Sequence, residues 1–231
     1  MNYFLDTNVI IGYIFLLDNL NKSSEDFISF ESSHFYSDHV KKEVDDVCFR
    51  NHKQYRNFLL HLSRFFSKFS DNSLINEFEG HKLIDKMNSI GTLDIDEMHD
   101  AFNVIWENLD FNINHDAFDV KNKFSVFTNN FQSSHVLRKN YLFNKMTLVP
   151  NHTQKDKRIL YKIKEEKLRD NWLHGEDENI LFDANEFCQK NKNINLEFVT
   201  ADNDFTEAIG RLSDYLCFDG CINLLEFSSN N

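Results

Sequence analysis

Proline and glycine are scarce in this chain, whose 231 residues include one proline and six glycines. Barrels and sandwiches with many strands need frequent turns, and these two residue types supply many turn conformations. The sequence therefore favours a helix-rich or α/β protein over an all-β one.

Long apolar runs are also absent. The longest run extends from Val9 to Leu17, which is far shorter than the roughly 20 apolar residues that a membrane-spanning helix needs. The N-terminus has no basic leader, and Asp6 interrupts its apolar stretch, so we expect no secretory signal. These features predict a cytoplasmic protein with no membrane partner.

Cysteine is infrequent, with four residues, of which only Cys217 and Cys221 lie close together in the sequence. A Cys-x3-Cys pair without a second pair does not match a zinc-binding signature. In a chain without an export signal, we expect reduced and partly buried thiols.

The charge is acidic overall but unevenly distributed. The net charge of −12 argues against a uniformly basic surface for nucleic acid. It divides into −9 over residues 1–137, +6 over residues 138–170 and −9 over residues 171–231. A basic segment therefore lies within an otherwise acidic chain.

Part of the basic segment is predicted to be a helix over residues 156–172. Four basic residues are predicted to share one face there and to suit a phosphate track for RNA: Lys155, Arg158, Lys162 and Arg169. An ordinary surface helix is an equal alternative, because such a helix would also carry the i, i+4 pairs of Lys162 with Glu166 and of Glu165 with Arg169.

Hydrophobic periodicity predicts short strands separated by helices. The predicted strands cover residues 2–5, 34–36, 196–200 and 222–227. Strands alternating with helices indicate a parallel sheet covered on both faces. We expect one domain over residues 1–231 with a largely helical middle segment over residues 48–170, of which residues 110–150 are assigned only as mixed loop and helix.

Acidic residues follow the predicted strands. Asp6 closes the first strand, Asp202 and Asp204 follow the strand ending at residue 200, Glu43 lies in a helix just after a strand, and Asp177 begins another helix. In open parallel sheets, ligands bind beyond the carboxyl ends of the strands. We therefore expect these carboxylates to converge at one edge of the sheet.

Such a cluster needs counter-charge, because neighbouring carboxylates raise each other's pKa and resist ionising together. Hard oxygen ligands suit Mg²⁺ or Mn²⁺, which retain waters and bind substrate phosphate through their remaining positions. The chemistry predicted for this site is metal-assisted hydrolysis of a phosphodiester, with metal-bound water as the nucleophile.

Four motifs in order resemble those of the PIN-domain nucleases. They are Asp6-Thr7-Asn8-Val9-Ile10, Ser37-x-x-Val40-x-x-Glu43, Asp177-x-x-Ile180-Leu181-x-x-Ala184 and Val199-Thr200-Ala201-Asp202-Asn203-Asp204-Phe205. The likeness covers about residues 1–47 and 171–231, while residues 48–170 have no counterpart in the small members of the family.

The resemblance implies a Rossmann-like α/β/α sandwich that cleaves RNA with Mg²⁺ or Mn²⁺, commonly as a homodimer. It implies that the metal ligands are Asp6, Glu43, Asp177 and Asp202, that Asn8 and Thr200 orient ligands or water, and that Asp204 is an additional acid. Family members serve as toxins paired with an antitoxin protein and also in RNA maturation and decay. The alternative function is a non-catalytic PIN-like module that binds RNA or a protein partner.

Each acid also has an ordinary structural interpretation. Asp6 could cap a helix, Glu43 could be a solvated helix acid, and Asp177 could favour a helix start through the macrodipole. Asp183 is a rival third metal acid, but it lies about 240° around the helix from Asp177 and away from the apolar stripe of Ile180 and its neighbours. We therefore assign Asp177.

A further acidic group over residues 94–100 lacks the glycine and the terminal glutamate of an EF-hand calcium loop. We interpret it as the solvated start of a helix capped by Thr92 or Asp94.

Overall fold

The computed structural model describes residues 1–87, 90, 93–109 and 115–227. The chain forms two compact units, the first comprising Met1–Tyr13, Leu20–Asp46 and Lys139–Asn231, and the second comprising Ile14–Asn19 and Val47–Arg138. One domain over residues 1–231 stays a prediction, because compactness alone does not show which part folds independently.

Strands and helices alternate along much of the chain. The strands are β1 (Asn2–Leu5), β2 (Ser33–Ser37), β3 (Leu74–Ile75), β4 (His115–Asp116), β5 (Thr147–Val149), β6 (Leu196–Thr200) and β7 (Gly220–Asn223). The α-helices are α1 (Thr7–Ile14), α2 (Asn21–Ser29), α3 (Asp38–Phe66), α4 (Glu77–Ile84), α5 (Ile95–Asn108), α6 (Ala117–Lys145), α7 (Lys157–Glu165), α8 (Leu168–Asn171), α9 (Gly175–Lys190), α10 (Asn203–Leu212) and α11 (Leu224–Phe227).

The first unit is built on a five-stranded sheet in the order β5-β2-β1-β6-β7, with every pairing parallel. Counted within this sheet alone, the order is 3-2-1-4-5, which is that of doubly wound α/β folds. The prediction of an α/β protein with a central parallel sheet is confirmed, and the architecture is consistent with a Rossmann-like sandwich. The chain reverses its direction of strand addition between β1 and β6, so a crevice is expected at their carboxyl ends.

The centre of the sheet is apolar because β1 and β6 have neighbours on both sides. Phe4, Leu5, Phe198 and Val199 are fully buried, and the rings of Phe4 and Phe198 stack with centroids 5.8 Å apart. The stripe predicted on α9 is also mostly buried, with Ile180, Leu181 and Ala184 at 0% exposure. Continuous apolar runs of this kind are typical of strands covered on both faces.

One strand prediction was wrong at its end, and one strand of the sheet was not predicted. The last strand ends at Asn223, and Leu224–Phe227 is helical instead of extended. The Asn223 side chain accepts a hydrogen bond from the Leu225 backbone N–H at 2.9 Å, which satisfies a donor of the first helical turn. Strand β5 was not predicted, because it has only three residues and pairs only with β2.

The second unit is mainly helical and includes the short antiparallel pair β3–β4. Helix α4 approaches α5 closely at Gly80, where an added Cβ would lie 2.1 Å from Cζ of Phe102. Most of the described residues between 48 and 170 lie in helices.

Residues 117–145 form one 29-residue helix, α6, where only mixed loop and helix was assigned. Its buried Val120, Phe124 and Phe131 are separated by exposed apolar residues such as Val126. The sequence therefore lacks the clean apolar stripe that identifies a surface helix.

Helix α5 begins as expected with a capping box at Asp94. The Asp94 side chain accepts from the Glu97 backbone N–H at 2.9 Å, and the Glu97 side chain accepts from the Asp94 backbone N–H at 2.8 Å. The acidic group is thus a helix start, and the alternative cap Thr92 lies outside the described residues.

The single helix predicted over residues 156–172 is wrong, because it is divided into α7 and α8. Lys167 at the break has φ of 54°, in the left-handed region, which interrupts the α-helical path. As a result, the four predicted RNA-contacting residues do not share one helix: Lys155 precedes α7, and Arg169 lies on α8.

Among the described residues, none of the helices has the length and apolar content that crossing a bilayer requires.

Candidate functional site

Asp6 lies at the switch point of the sheet. Its backbone N–H donates to the Val199 carbonyl at 2.9 Å, so the pairing of β1 with β6 extends to this residue. The carboxylate is buried, and its two oxygens accept hydrogen bonds from the Thr7 backbone N–H and the Thr200 hydroxyl, each at 2.7 Å. Asp6 is therefore held at the carboxyl end of β1 in one orientation.

Asn8 and Thr200 join the ends of β1 and β6. The Asn8 amide donates to Thr200 Oγ1 at 3.1 Å, and its oxygen accepts from the Ala201 backbone N–H at 3.0 Å. Thr200 is fully buried and also accepts from the Asp202 backbone N–H at 3.1 Å. Both residues thus position the acids that surround them.

Glu43 reaches the same edge from α3, which begins directly after β2. Its Oε2 accepts a hydrogen bond from the Thr7 hydroxyl at 2.6 Å. Thr7 therefore connects Glu43 to Asp6, since its backbone N–H binds one and its hydroxyl binds the other. The sequence prediction missed Thr7, although its place between Asp6 and Asn8 could have indicated it.

Asp202 and Asp204 lie at the start of α10, and both are exposed. Oδ1 of Asp202 accepts from the backbone N–H groups of Asp204 at 2.8 Å and Phe205 at 3.1 Å. The N-cap of α10 fixes Asp202 just beyond β6. Asp204 is linked to this acid through its backbone.

Asp177 is the third residue of α9 and is partly buried. Its Oδ2 accepts from the His174 backbone N–H at 3.1 Å. The pKa of Asp177 is raised, mainly by burial and to a lesser extent by the charges of Asp202 and Glu176. The hydrogen bond from His174 opposes this rise.

Electrostatics link the four predicted metal acids. Burial raises the pKa of Asp6 to about 7; hydrogen bonds from Thr200 and Thr7 oppose this, and the charges of Asp177 and Glu43 add to it. The charge of Asp202 in turn contributes to the raised pKa of Asp177. Because like charges disfavour each other's ionised forms, a cation placed among them would relieve the conflict. The all-carboxylate donor set fits Mg²⁺ or Mn²⁺.

The rival acid, Asp183, belongs to a different cluster. Within the described part of the chain, the group that brings three metal-ligating atoms within 4.8 Å of one another is His39, His152 and Asp183. The four predicted acids do not form such a group among the described residues. The sequence prediction did not include either histidine, although His39 lies one helical turn before Glu43.

Two of the predicted RNA-contacting residues bind the buried carboxylate of Glu178. Lys155 Nζ lies 2.7 Å from Oε1, and Arg169 Nε donates to Oε2 at 2.8 Å. Burial would raise the pKa of Glu178, but the hydrogen bonds and charges of these two cations outweigh it, so that pKa is lowered. Lys155 and Arg169 thus hold the first turn of α9, next to Asp177.

The other two predicted RNA-contacting residues are also paired with acids. Arg158 binds Asp156 at 2.9 Å, and Lys162 binds Glu166 at 2.8 Å and Glu165 at 3.2 Å. The i, i+4 pair of Lys162 with Glu166 is the one that an ordinary surface helix carries. RNA contact by these residues stays a prediction.

Comparisons of the chain with protein-family models, curated proteins and solved structures gave no match. The function is therefore inferred from the residues of the site itself.

Proposed function

We propose that this protein is a Mg²⁺- or Mn²⁺-dependent endoribonuclease with a PIN-like fold. The observation that carries the proposal is that Asp6, at the switch point of a 3-2-1-4-5 parallel sheet, and Glu43 from α3 both accept hydrogen bonds from Thr7. The charges of Glu43 and Asp177 add to the burial that raises the pKa of Asp6. The ordered motifs add support, because they place these acids in the sequence positions of the PIN metal ligands.

Asp6, Glu43, Asp177 and Asp202 would hold the metal. When bound, the metal would supply an activated water for attack on phosphorus and neutralise charge on the phosphate. Thr7 and Thr200 keep Asp6 oriented through hydrogen bonds at 2.7 Å, and Thr7 orients Glu43 at 2.6 Å. Asp204, which is exposed, would contact a ligand or water.

Hydrolysis of this kind leaves 5′-phosphate and 3′-hydroxyl ends and does not use the 2′-hydroxyl as a nucleophile. Contact of Lys155, Arg158, Lys162 or Arg169 with RNA would require exchange of their carboxylate partners for phosphate, which they also bind well. Homodimerisation, pairing with an antitoxin protein and a cytoplasmic location belong to the same proposal.

The test is cleavage of a single-stranded RNA in Mn²⁺ by the wild type and by Asp6→Asn. We expect the variant to lose roughly a hundredfold or more in rate, because it removes a charged metal ligand. Asp214→Asn removes an exposed acid of the same unit and should retain the wild-type rate. Full 2′-O-methylation of the RNA should not abolish cleavage. Equal rates for the wild type and Asp6→Asn would refute the proposal.

A non-catalytic RNA- or protein-binding module is the second candidate. Among the described residues, the four acids do not form a compact metal-ligating group like that of His39, His152 and Asp183, and this favours the second candidate. RNA binding that EDTA does not affect, with no cleavage in Mg²⁺ or Mn²⁺, would establish this alternative.

A further inference from the structure

A second cluster of ligating side chains lies at the same edge of the sheet, beyond the neighbouring strands β2 and β5. His39 is in the first turn of α3, just after β2, and His152 follows the end of β5 by three residues. Asp183 reaches them from α9 and has no exposed surface. Two separate segments thus converge on the buried carboxylate of a third.

Both oxygens of Asp183 face imidazole nitrogens. Oδ2 lies 2.7 Å from Nδ1 of His39, while Oδ1 lies 2.6 Å from Nδ1 of His152 and accepts from the His152 backbone N–H at 2.7 Å. The two rings stack with centroids 5.7 Å apart. The three ligating atoms lie within 4.8 Å of one another.

A carboxylate with no exposed surface requires neutralisation, because burial of an unpaired charge is costly. Within the described residues, the ion pairs of Asp183 are those with His39 and His152. One protonated histidine would balance the charge. Charge balance needs only one of the two imidazoles. Together with the carboxylate, the two imidazoles form a set of three metal-ligating groups.

We infer that His39, His152 and Asp183 form a Zn²⁺ site. Two imidazole nitrogens and one carboxylate oxygen are a known zinc donor set, and they leave a fourth position for water. Ligand atoms around a tetrahedral zinc stand about 3.3 Å apart, given Zn–N and Zn–O distances of about 2.0–2.2 Å. The contacts of 2.7 and 2.6 Å join the two nitrogens to different oxygens of Asp183, and the three ligand atoms lie within 4.8 Å of one another, so each pair needs to shift by about 1.5 Å or less. The His39 side chain is 32% exposed, which gives the ion a route from solvent.

Zinc at this site would bind α3, α9 and the segment after β5 to one another. Helices α3 and α9 also carry Glu43 and Asp177, so the ion would fix the elements that position two of the predicted metal acids. The zinc site uses nitrogen ligands and different residues, and its existence does not depend on the proposed nuclease activity.

The experiment is zinc binding by the full chain after removal of metal with a chelator. Zn²⁺ affinity is measured by competition with a chromophoric chelator, and Co²⁺ substitution reports nitrogen coordination through its visible absorption. We expect one high-affinity zinc per wild-type chain and a loss of roughly a hundredfold or more in affinity for His39→Gln and His152→Gln. His61→Gln, which removes an exposed histidine elsewhere, should bind as the wild type does.

Two comparisons make the outcome decisive. His39→Gln changes a partly exposed residue, so its circular dichroism should match that of the wild type and its binding result remains interpretable. Asp6→Asn should retain full zinc affinity, which separates this site from the proposed Mg²⁺ or Mn²⁺ site. Absence of high-affinity zinc in the folded wild type, or unchanged affinity in His39→Gln, would overturn the inference. Zinc binding without RNA cleavage would leave it standing and refute only the nuclease proposal.

Discussion

Burial has opposite consequences for two ionisable side chains near the sheet. It raises the pKa of Asp6 to about 7, and it lowers the pKa of His34 to about 4, with the Lys145 charge adding to the effect on His34. The cause is the same in both cases, because removal from water disfavours the charged form of each group. At neutral pH, His34 is therefore neutral in the folded protein, where it packs near Tyr3 and Phe27.

Acid should destabilise the fold through His34. Its pKa is about 6.5 when unfolded and about 4 when folded, so between these values the unfolded state binds more protons and stability falls as pH falls. The cost by pH 5 is about 2 kcal/mol. Urea unfolding at pH 7.5 and pH 5 should show this loss in the wild type but not in His34→Phe, which keeps an aromatic ring.

The pH dependence of stability that Asp6 contributes has the opposite sign, because its pKa is raised in the folded state and its contribution therefore falls as pH rises. It is present in both proteins and cancels from their difference. An equal change between the two pH values in both proteins would contradict the assignment to His34.

At the scale of elements, the start of α9 is anchored by cations from two neighbouring segments. Glu178 receives Lys155 from the segment before α7 and Arg169 from α8. The adjacent Asp177 binds the His174 backbone N–H. Two basic residues that the sequence suggested for RNA thus stabilise the helix that carries a predicted metal acid.

Removal of the Glu178 charge should loosen this helix start. We expect Glu178→Gln to lower the free energy of unfolding by about 1–3 kcal/mol, which is below the cost of breaking a fully buried pair. The expected loss is smaller than for a fully buried pair because water surrounds Lys155 and Arg169, whose side chains are 32% and 58% exposed. Glu176→Gln, at an exposed position of the same turn, should change stability by less than about 0.5 kcal/mol in urea unfolding. Equal effects of the two substitutions would show that the ion pairs contribute little.

At the scale of the whole molecule, the four cysteines report on packing in both units. None of the four, all of which lie in the described part of the chain, forms a disulfide; Cys48 in the second unit and Cys188 in the first are buried, while Cys217 is exposed. Burial raises the pKa of Cys188 and of the partly buried Cys221, each to about 12. The expectation of partly buried thiols is confirmed.

Thiol reactivity should therefore distinguish one cysteine from the other three. In the folded protein, a disulfide reagent such as DTNB should modify one thiol rapidly, because thiolate and access are both needed for reaction. The fast phase should be absent in Cys217→Ser, and all four thiols should react in denaturant. Two or more fast thiols in the native wild type would indicate that the cores are more open than the structure indicates.

Local pattern predicted much of the fold. Strands β1, β2 and β6 and helices α5 and α9 were predicted because continuous apolar runs and helical stripes are local features of the sequence. The short edge strand β5 and the long helix α6 were not, since one has three residues and the other has no clean stripe. The order of the strands was decided by tertiary pairing alone.

For the candidate site, the sequence by itself determined that acids follow the strands, because the position of a residue such as Asp6 is set by the strand that precedes it. Tertiary structure decided which charges meet. The link of Thr7 to Glu43 and that of Asp183 to His39 span 36 and 144 residues. No local periodicity encodes contacts at such separations, since they depend on how the sheet brings distant segments to one edge.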